Sequence, residues 1–160
     1  MSEQISGDYG YAGFWWRFLA FIIDELLLSA VGWAMGMMVG VAVYGAHGDP
    51  GSAQGLAYLI GLLLNWLYYT MLESSSRRAT FGKRACGLIV TDLNGAQISF
   101  GRANGRYFGK IISTLIFLIG FFMIGWTERK QGLHDKMAGT LVLRRRVKSV
   151  PVTIVPSAAG

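Results

Sequence analysis

The sequence predicts an all-α integral membrane protein: two transmembrane helices, a third apolar membrane segment, and a small cytoplasmic β-hairpin or strand element. Three observations predict it. Apolar residues make up 52% of the 160 residues, and mean hydropathy is positive; a soluble domain of this size cannot hide so much apolar surface in one core. Uncharged apolar runs recur at 26–46, 56–72 and 111–126, the scale of membrane segments. The 15 Lys and Arg are placed unevenly: seven lie in 77–110, seven in 129–148, and Arg17 is the remaining one. Basic clusters that flank apolar spans hold loops in the cytoplasm and attract anionic lipid headgroups. This placement suits a membrane topology rather than a nucleic-acid face.

Residues 1–13 are polar, Gly-rich and slightly acidic. They lack the basic start of a signal peptide, so they are expected to remain, disordered or lying at the interface. Residues 14–46 would measure about 50 Å as helix, against a hydrocarbon core about 30 Å thick. The uncharged part, 26–46, is therefore expected to cross. Residues 14–25 lie at the boundary or enter obliquely, with Trp15 and Trp16 as interface aromatics. Arg17, Asp24 and Glu25 stand in this first part. Charges are costly in hydrocarbon, so they mark a functional site. Gly32, Gly36 and Gly40 form a double GxxxG ridge on which another helix can pack closely.

Residues 47–55 read as a polar external turn without Lys or Arg, and 56–72 as the return helix. Asn65, near the middle of that helix, suits a hydrogen bond to another helix, or an ion or substrate contact. Glu73 falls just beyond the inner boundary. In the first basic loop, Asn94-Gly95 signals a hairpin between short strands at 88–92 and 96–99. Residues 100–110 place Gly101, Gly105 and Gly109 on one stripe and Arg102, Arg106 and Lys110 on the next. This pattern predicts an interfacial helix with headgroups on one side and protein on the other. Pairing of Arg106 with an acidic residue is the alternative.

The run at 111–126 poses a conflict. A single crossing would put one basic segment outside, against the positive-inside bias. Re-entry, turning near Gly120, keeps both inside, and protein or a cavity must then cover the turn. Re-entry is favoured and a single crossing is the alternative. Residues 133–137 read as a short helical turn, with Asp135 as a capping carboxylate. Residues 140–143 read as a strand able to join the hairpin, and 147–160 as a flexible tail.

The lone Cys86 excludes an internal disulfide and suits a packing role. Two separated His without a second Cys do not suggest a metal site. Gly82-Lys83 lacks the rest of a P-loop. His134-Asp135 has no nucleophile beside it, so no enzyme activity and no cofactor are expected.

The residues now in hand resemble the RDD family of small membrane proteins, named for one Arg and two Asp. The stretch GFWWRFLAFIID supplies Arg17 and Asp24, with Ala20 between. The middle signature resembles TFGKRACGLIVTDLNG, with Thr80, Gly82 and Lys83. The third resembles RKQGLHDKMAGTLVL, with Asp135 as the second Asp beside His134, Gly139 and Thr140. Glu25 lies outside the family pattern. The resemblance covers 11–143 as one membrane domain, between an N-terminal tail at 1–10 and the C-terminal tail at 147–160. It implies a multi-pass bacterial membrane protein; the placement of Lys and Arg then predicts an inner-membrane protein with a cytoplasmic N-terminus. Transport has been proposed for the family, including sodium–proton exchange in some members.

Arg17 and Asp24 share a helix face, about 10 Å apart by helix rise. That is too far for a rigid pair, so Asp24 is expected to meet Arg106 or Lys136. A partly buried carboxylate is pulled one way by desolvation and the other by a nearby cation, a balance that lets it take and release a proton. Arg17, Asp24, Glu25, Asn65, Arg106 and Asp135 form the candidate site. Two function classes follow. One is a small transporter or cation–proton exchanger for a monovalent cation or small solute, acting as a homo-oligomer through its Gly ridges. The other is a scaffold whose basic cytoplasmic face binds anionic lipid or protein.

Overall fold

The computed structural model describes residues 8–47, 50–115 and 119–146. Two long antiparallel helices dominate it: α1 (Phe14–His47) and α2 (Pro50–Ser74). Nothing in 14–47 interrupts the backbone ladder: no Pro falls there, and the run of long apolar side chains continues through Arg17 and Asp24. α2 starts at a Pro, whose fixed φ suits a first helical turn and whose missing N–H is not needed there. The turn between the two helices is therefore shorter than the nine residues expected. Helix resumes at Pro50, while Gly48 and Asp49 lie outside the described residues.

Both helices are long and apolar enough to cross a bilayer, over Phe14–Val43 and Gly51–Ser74. Their outer surfaces are bare. Trp33, Met38 and Val41 on α1 and Tyr58, Leu59 and Leu62 on α2 are each more than 60% exposed. Such a continuous apolar surface is what a lipid-facing helix presents.

At the end of this helix pair where α1 begins and α2 finishes, the chain builds a compact cap. It comprises β1 (Tyr9–Tyr11), the short helix α3 (Phe81–Ala85), β2 (Leu88–Asp92), α4 (Phe100–Leu115), α5 (Ile119–Trp126), α6 (Leu133–Ala138) and β3 (Thr140–Arg145). The strands form an antiparallel sheet in the order β1-β3-β2. Val90 faces Val142, and Asp92 faces Thr140. Leu88, Val90 and Val142 pack with Ala12, Ala20, Cys86, Ile98 and Ala103 in one apolar core. Cys86 has the packing role expected of it.

Two expectations about the strands are corrected. Residues 9–11 are not loose: Tyr9–Tyr11 pair with β3, and the Arg146 N–H extends that pairing to the Asp8 carbonyl at 2.7 Å. β3 would otherwise present an open edge. Residues 96–99 form no strand. The Asp92 carboxylate accepts the N–H groups of Asn94 (2.9 Å) and Ala96 (2.8 Å) and closes a turn, with Gly95 at φ 82°. β2 takes β3 as its partner instead, as the strand at 140–143 was expected to allow. The tail at 147–160 lies outside the described residues.

The apolar run after Lys110 lies on two helices. α4 ends at Leu115 and α5 begins at Ile119, so Gly120 sits inside α5 rather than at the turn. α4 and α5 pack on each other, and α5 also meets α1. The two flanks of the run converge. Arg106 upstream and Asp135 downstream are joined by an ion pair.

Candidate functional site

The start of α1 and the end of α2 carry a buried charge network that the cap completes. Arg17 donates from three nitrogens: to the Ala12 carbonyl (3.0 Å), to the Lys130 carbonyl (2.5 Å) and to the Asp135 carboxylate. One side chain thus ties the end of β1, the loop after α5 and helix α6 to α1. Asp135 also accepts from Arg106 and, at 3.1 Å, from the Gly132 N–H, so it caps α6 as well. Arg106 continues the network to Glu73 at 2.9 Å and to the Thr140 hydroxyl oxygen at 2.7 Å. Glu73 accepts in addition from Lys83, and Lys110 stands 3.5 Å away. Asp135, Glu73 and Arg106 are essentially inaccessible to solvent.

Burial by itself would raise Asp135, but Arg17 and Arg106 overcome it and hold the carboxylate far below its ordinary range. Burial would likewise lower Arg106; Glu73 and Asp135 outweigh it and fix the positive charge. At Lys83 burial wins over Glu73, and the ammonium falls to about 8. Burial beside Arg106, Lys110 and Arg17 pushes His134 down to about 3 despite Asp135, so its ring is neutral.

Asp24 belongs to a second arrangement. It meets neither Arg106 nor Lys136, as had been expected. The carboxylate accepts three hydrogen bonds from neutral donors: the Tyr68 hydroxyl at 2.6 Å, the Thr80 hydroxyl at 2.5 Å and the Gly82 N–H at 2.7 Å. The middle signature thereby gains a physical reading. Thr80 caps α3 through the Lys83 N–H. Gly82 leaves room that any Cβ would remove, because such an atom would overlap the Ala20 carbonyl and stand 2.8–2.9 Å from the Asp24 carboxylate. Lys83, one step on, reaches Glu73. Ala20 is fully buried at this contact, which explains the small residue midway between Arg17 and Asp24.

A chamber of about 500 Å³ lies among α1, α2, α4 and α5. Asp24, Glu25, Asn65, Arg106 and Lys110 line it together with Phe18, Phe21, Ile111 and Ile124. Glu25 accepts the Tyr69 hydroxyl at 3.0 Å. Lys110 lies over the ring of the same tyrosine, 4.2 Å from its centre. Asn65 accepts the Tyr107 hydroxyl at 3.0 Å, a helix-to-helix bond.

All six candidate site residues therefore come to this one end of the molecule, in two groups. Arg17, Arg106 and Asp135 are linked directly, while Asp24, Glu25 and Asn65 line the chamber. Of the proposed headgroup stripe, Arg102 is exposed and pairs with Asp92 at 3.5 Å. Arg106 is corrected: with 1% exposure and two carboxylates around it, it is not open to a headgroup. Lys110 is partly exposed toward the chamber. The glycines divide too. A Cβ on Gly109 would stand 3.1 Å from His134, and one on Gly105 would touch Ala138, so α6 seats on this stripe. Gly101 meets only Ser99, and Gly32, Gly36 and Gly40 face open space.

Sequence reasoning named Thr80 and Lys83 only as parts of the middle signature and left them, with Glu73 and Tyr68, out of the candidate site. Glu73 could have been found as the acid that separates an uncharged span from a loop rich in Arg and Lys. Tyr68 carried no comparable signal. Among the described residues no group of His, Cys, Asp and Glu is placed to hold a metal ion.

Two lipid-length helices closed at one end by a basic, ion-paired cap define a multi-pass membrane protein. The chain belongs to the RDD family, whose sequence profile it matches over residues 11–139. It is similar to the Bacillus subtilis (strain 168) proteins named Uncharacterized protein YxaI and Uncharacterized membrane protein YteJ. Identity to the first is 38% over 146 residues, covering 82% of this chain and 96% of the relative. Identity to the second is 29% over 148 residues, covering 87% and 84%. No solved structure matches. The residues that resemble the family's three named positions have partners here: Arg17 and Asp135 are bound to each other, and Asp24 is bound to the Thr80 and Gly82 stretch.

Proposed function

We propose that this protein is a non-catalytic inner-membrane binding module, in which the ion network is a structural lock and the chamber is the working site. The observation that carries this reading is the coordination of Asp24. Three donors from α2 and the α3 loop hold its two oxygens, and that is the bonding of a clamp rather than of a group waiting for cargo. A buried, fully satisfied polar network rigidifies the elements it joins.

On this reading the N-terminus and both basic segments are cytoplasmic, and the apolar run at 111–126 enters the membrane and returns. The convergence of its flanks on Arg106 and Asp135 supports that topology. The exposed basic side chains of the cap, Arg102 among them, then face anionic lipid. The open ridge of Gly32, Gly36 and Gly40 is the surface through which a homo-oligomer would form.

One observation favours a second reading, cation–proton exchange: Asp24, Glu25 and Asn65 line a single chamber and could supply oxygens to a monovalent cation. Proton flux in proteoliposomes under imposed sodium and potassium gradients separates the two. The clamp reading expects no cation-driven flux in the wild type, and an Asp24→Asn protein that is less stable because its loop is released. Flux in the wild type that vanishes in an equally stable Asp24→Asn protein would establish exchange.

A further inference from the structure

The chamber is electrically two-sided. Four cations around it, Arg17, Lys83, Arg106 and Lys110, share the two carboxylates of Glu73 and Asp135. Asp24 and Glu25 accept instead from hydroxyl and backbone donors. Positive charge is thus in excess around Glu73, where Lys83, Arg106 and Lys110 meet one carboxylate, and negative charge at Asp24 and Glu25 on α1. Tyr69 joins the two at its ends, with its hydroxyl on Glu25 and its ring beneath Lys110.

Both end groups have bonding capacity left. Glu25 uses one acceptor position for Tyr69, and a carboxylate has about four. Lys110 has three donors and stands at 3.5 Å from a Glu73 that Lys83 and Arg106 already bind. Phe18, Phe21, Ile111 and Ile124 supply apolar walls beside this polar pair. A mainly apolar pocket of this size with a few convergent polar groups is the usual form of a small-molecule site.

We propose that the chamber binds an aminophospholipid from the bilayer, with its primary ammonium on Glu25, its phosphate on Lys110, and hydrocarbon along the phenylalanine and isoleucine walls. The order of charges matches a zwitterionic headgroup. Glu25 also stands at the inner end of the uncharged crossing stretch of α1, the depth at which headgroups meet hydrocarbon. This assignment rests on the reading of the chamber as the working site and adds the class of its ligand.

The test uses the full chain purified in a non-ionic maltoside detergent. Phosphatidylethanolamine, phosphatidylglycerol and phosphatidylcholine are titrated separately, and bound lipid is counted by native mass spectrometry. The wild type is expected to hold phosphatidylethanolamine about ten-fold more tightly than phosphatidylglycerol, the scale of one charge-assisted hydrogen bond. Phosphatidylcholine, whose quaternary nitrogen has no N–H, ranks below phosphatidylethanolamine. Glu25→Gln still accepts the Tyr69 hydroxyl and should fold; it loses the preference while keeping phosphatidylglycerol. Lys110→Gln weakens both lipids, and Lys110→Arg restores them. Should Lys110→Gln fail to fold, the Glu25→Gln comparison decides alone. Equal binding of the two lipids in the wild type, or a preference unchanged in Glu25→Gln, overturns the ligand assignment and leaves the chamber as a site. Absence of any bound lipid overturns both. Saturation by glycerophosphoethanolamine at the same concentration as the lipid would make the ligand a soluble zwitterion and overturn the bilayer source.

Discussion

Glu73 shows how much one side chain holds in this protein. Lys83, Arg106 and Lys110 all lean on it in a site closed to water, and removing one partner of a buried pair leaves uncompensated charge that costs about 3–5 kcal/mol. Glu73→Gln should therefore lower the thermal midpoint in detergent sharply. Replacing Lys83 by Met in the same chain should recover part of the loss, because the two residues share one interaction. Gly82→Ala presses a methyl group on the Ala20 carbonyl and the Asp24 carboxylate. Overpacking of this kind costs about 1–3 kcal/mol and should appear as reduced stability with the ion network intact. His134 sets the acid limit. Its folded value of about 3 lies below the ordinary 6.5, so the unfolded chain takes up the proton first as pH falls. Stability should be full above about pH 6.5 and lower by about 3 kcal/mol at about pH 4.5. Asp135, depressed when folded, adds a further loss only below the ordinary carboxylate range, near pH 4. Midpoints recorded across pH for wild type and His134→Gln would check this, since the variant should lose the slope between about pH 4.5 and 6.5.

Glycine stripes on two helices look alike in sequence and differ in structure. Gly109 on α4 receives His134 of α6, whereas Gly36 on α1 faces open space. Gly109→Leu should separate α4 from α6 and reduce folded yield. Gly36→Leu should leave the monomer's stability unchanged, and any shift in its oligomeric size by chromatography would mark that face as a contact between copies. The helix at 100–110 was legible because its two stripes repeat every four residues. That only one of its three basic residues, Arg106, turns fully inward was not legible, because its partners come from α2 and α6. The strand at 88–92 was legible from its apolar alternation. Of its two expected partners, 140–143 forms and 96–99 does not, because Asn94-Gly95 signals a turn locally while Asp92 closes that turn without returning a strand.

At the scale of the whole molecule, the proposed re-entrant topology keeps the ion pair between Arg106 and Asp135, and with it both flanks of the apolar run 111–126, on one side of the bilayer. Single cysteines in a Cys86→Ala chain test this. Ser76→Cys and Glu128→Cys, both at exposed positions, should react with a membrane-permeant maleimide and resist an impermeant one added outside intact cells. Ser52→Cys, at the start of α2, should react with both. Labelling of Glu128→Cys from outside would establish a single crossing and separate the two basic segments.

The sequence alone determined the membrane class, the two membrane-length helices, the uneven placement of the basic segments and the family. These follow from local quantities: apolar run length against bilayer thickness, charge placement, and three short signatures in order. The tertiary structure decided which charge meets which. Arg17 and Asp24, seven residues apart on one helix, bind different partners. Arg17 holds Asp135 across 118 residues of chain, and Asp24 holds the loop at Thr80 and Gly82. Ion pairs between distant segments leave no periodicity in a sequence, because their distance is set by the packing of the cap onto the ends of α1 and α2.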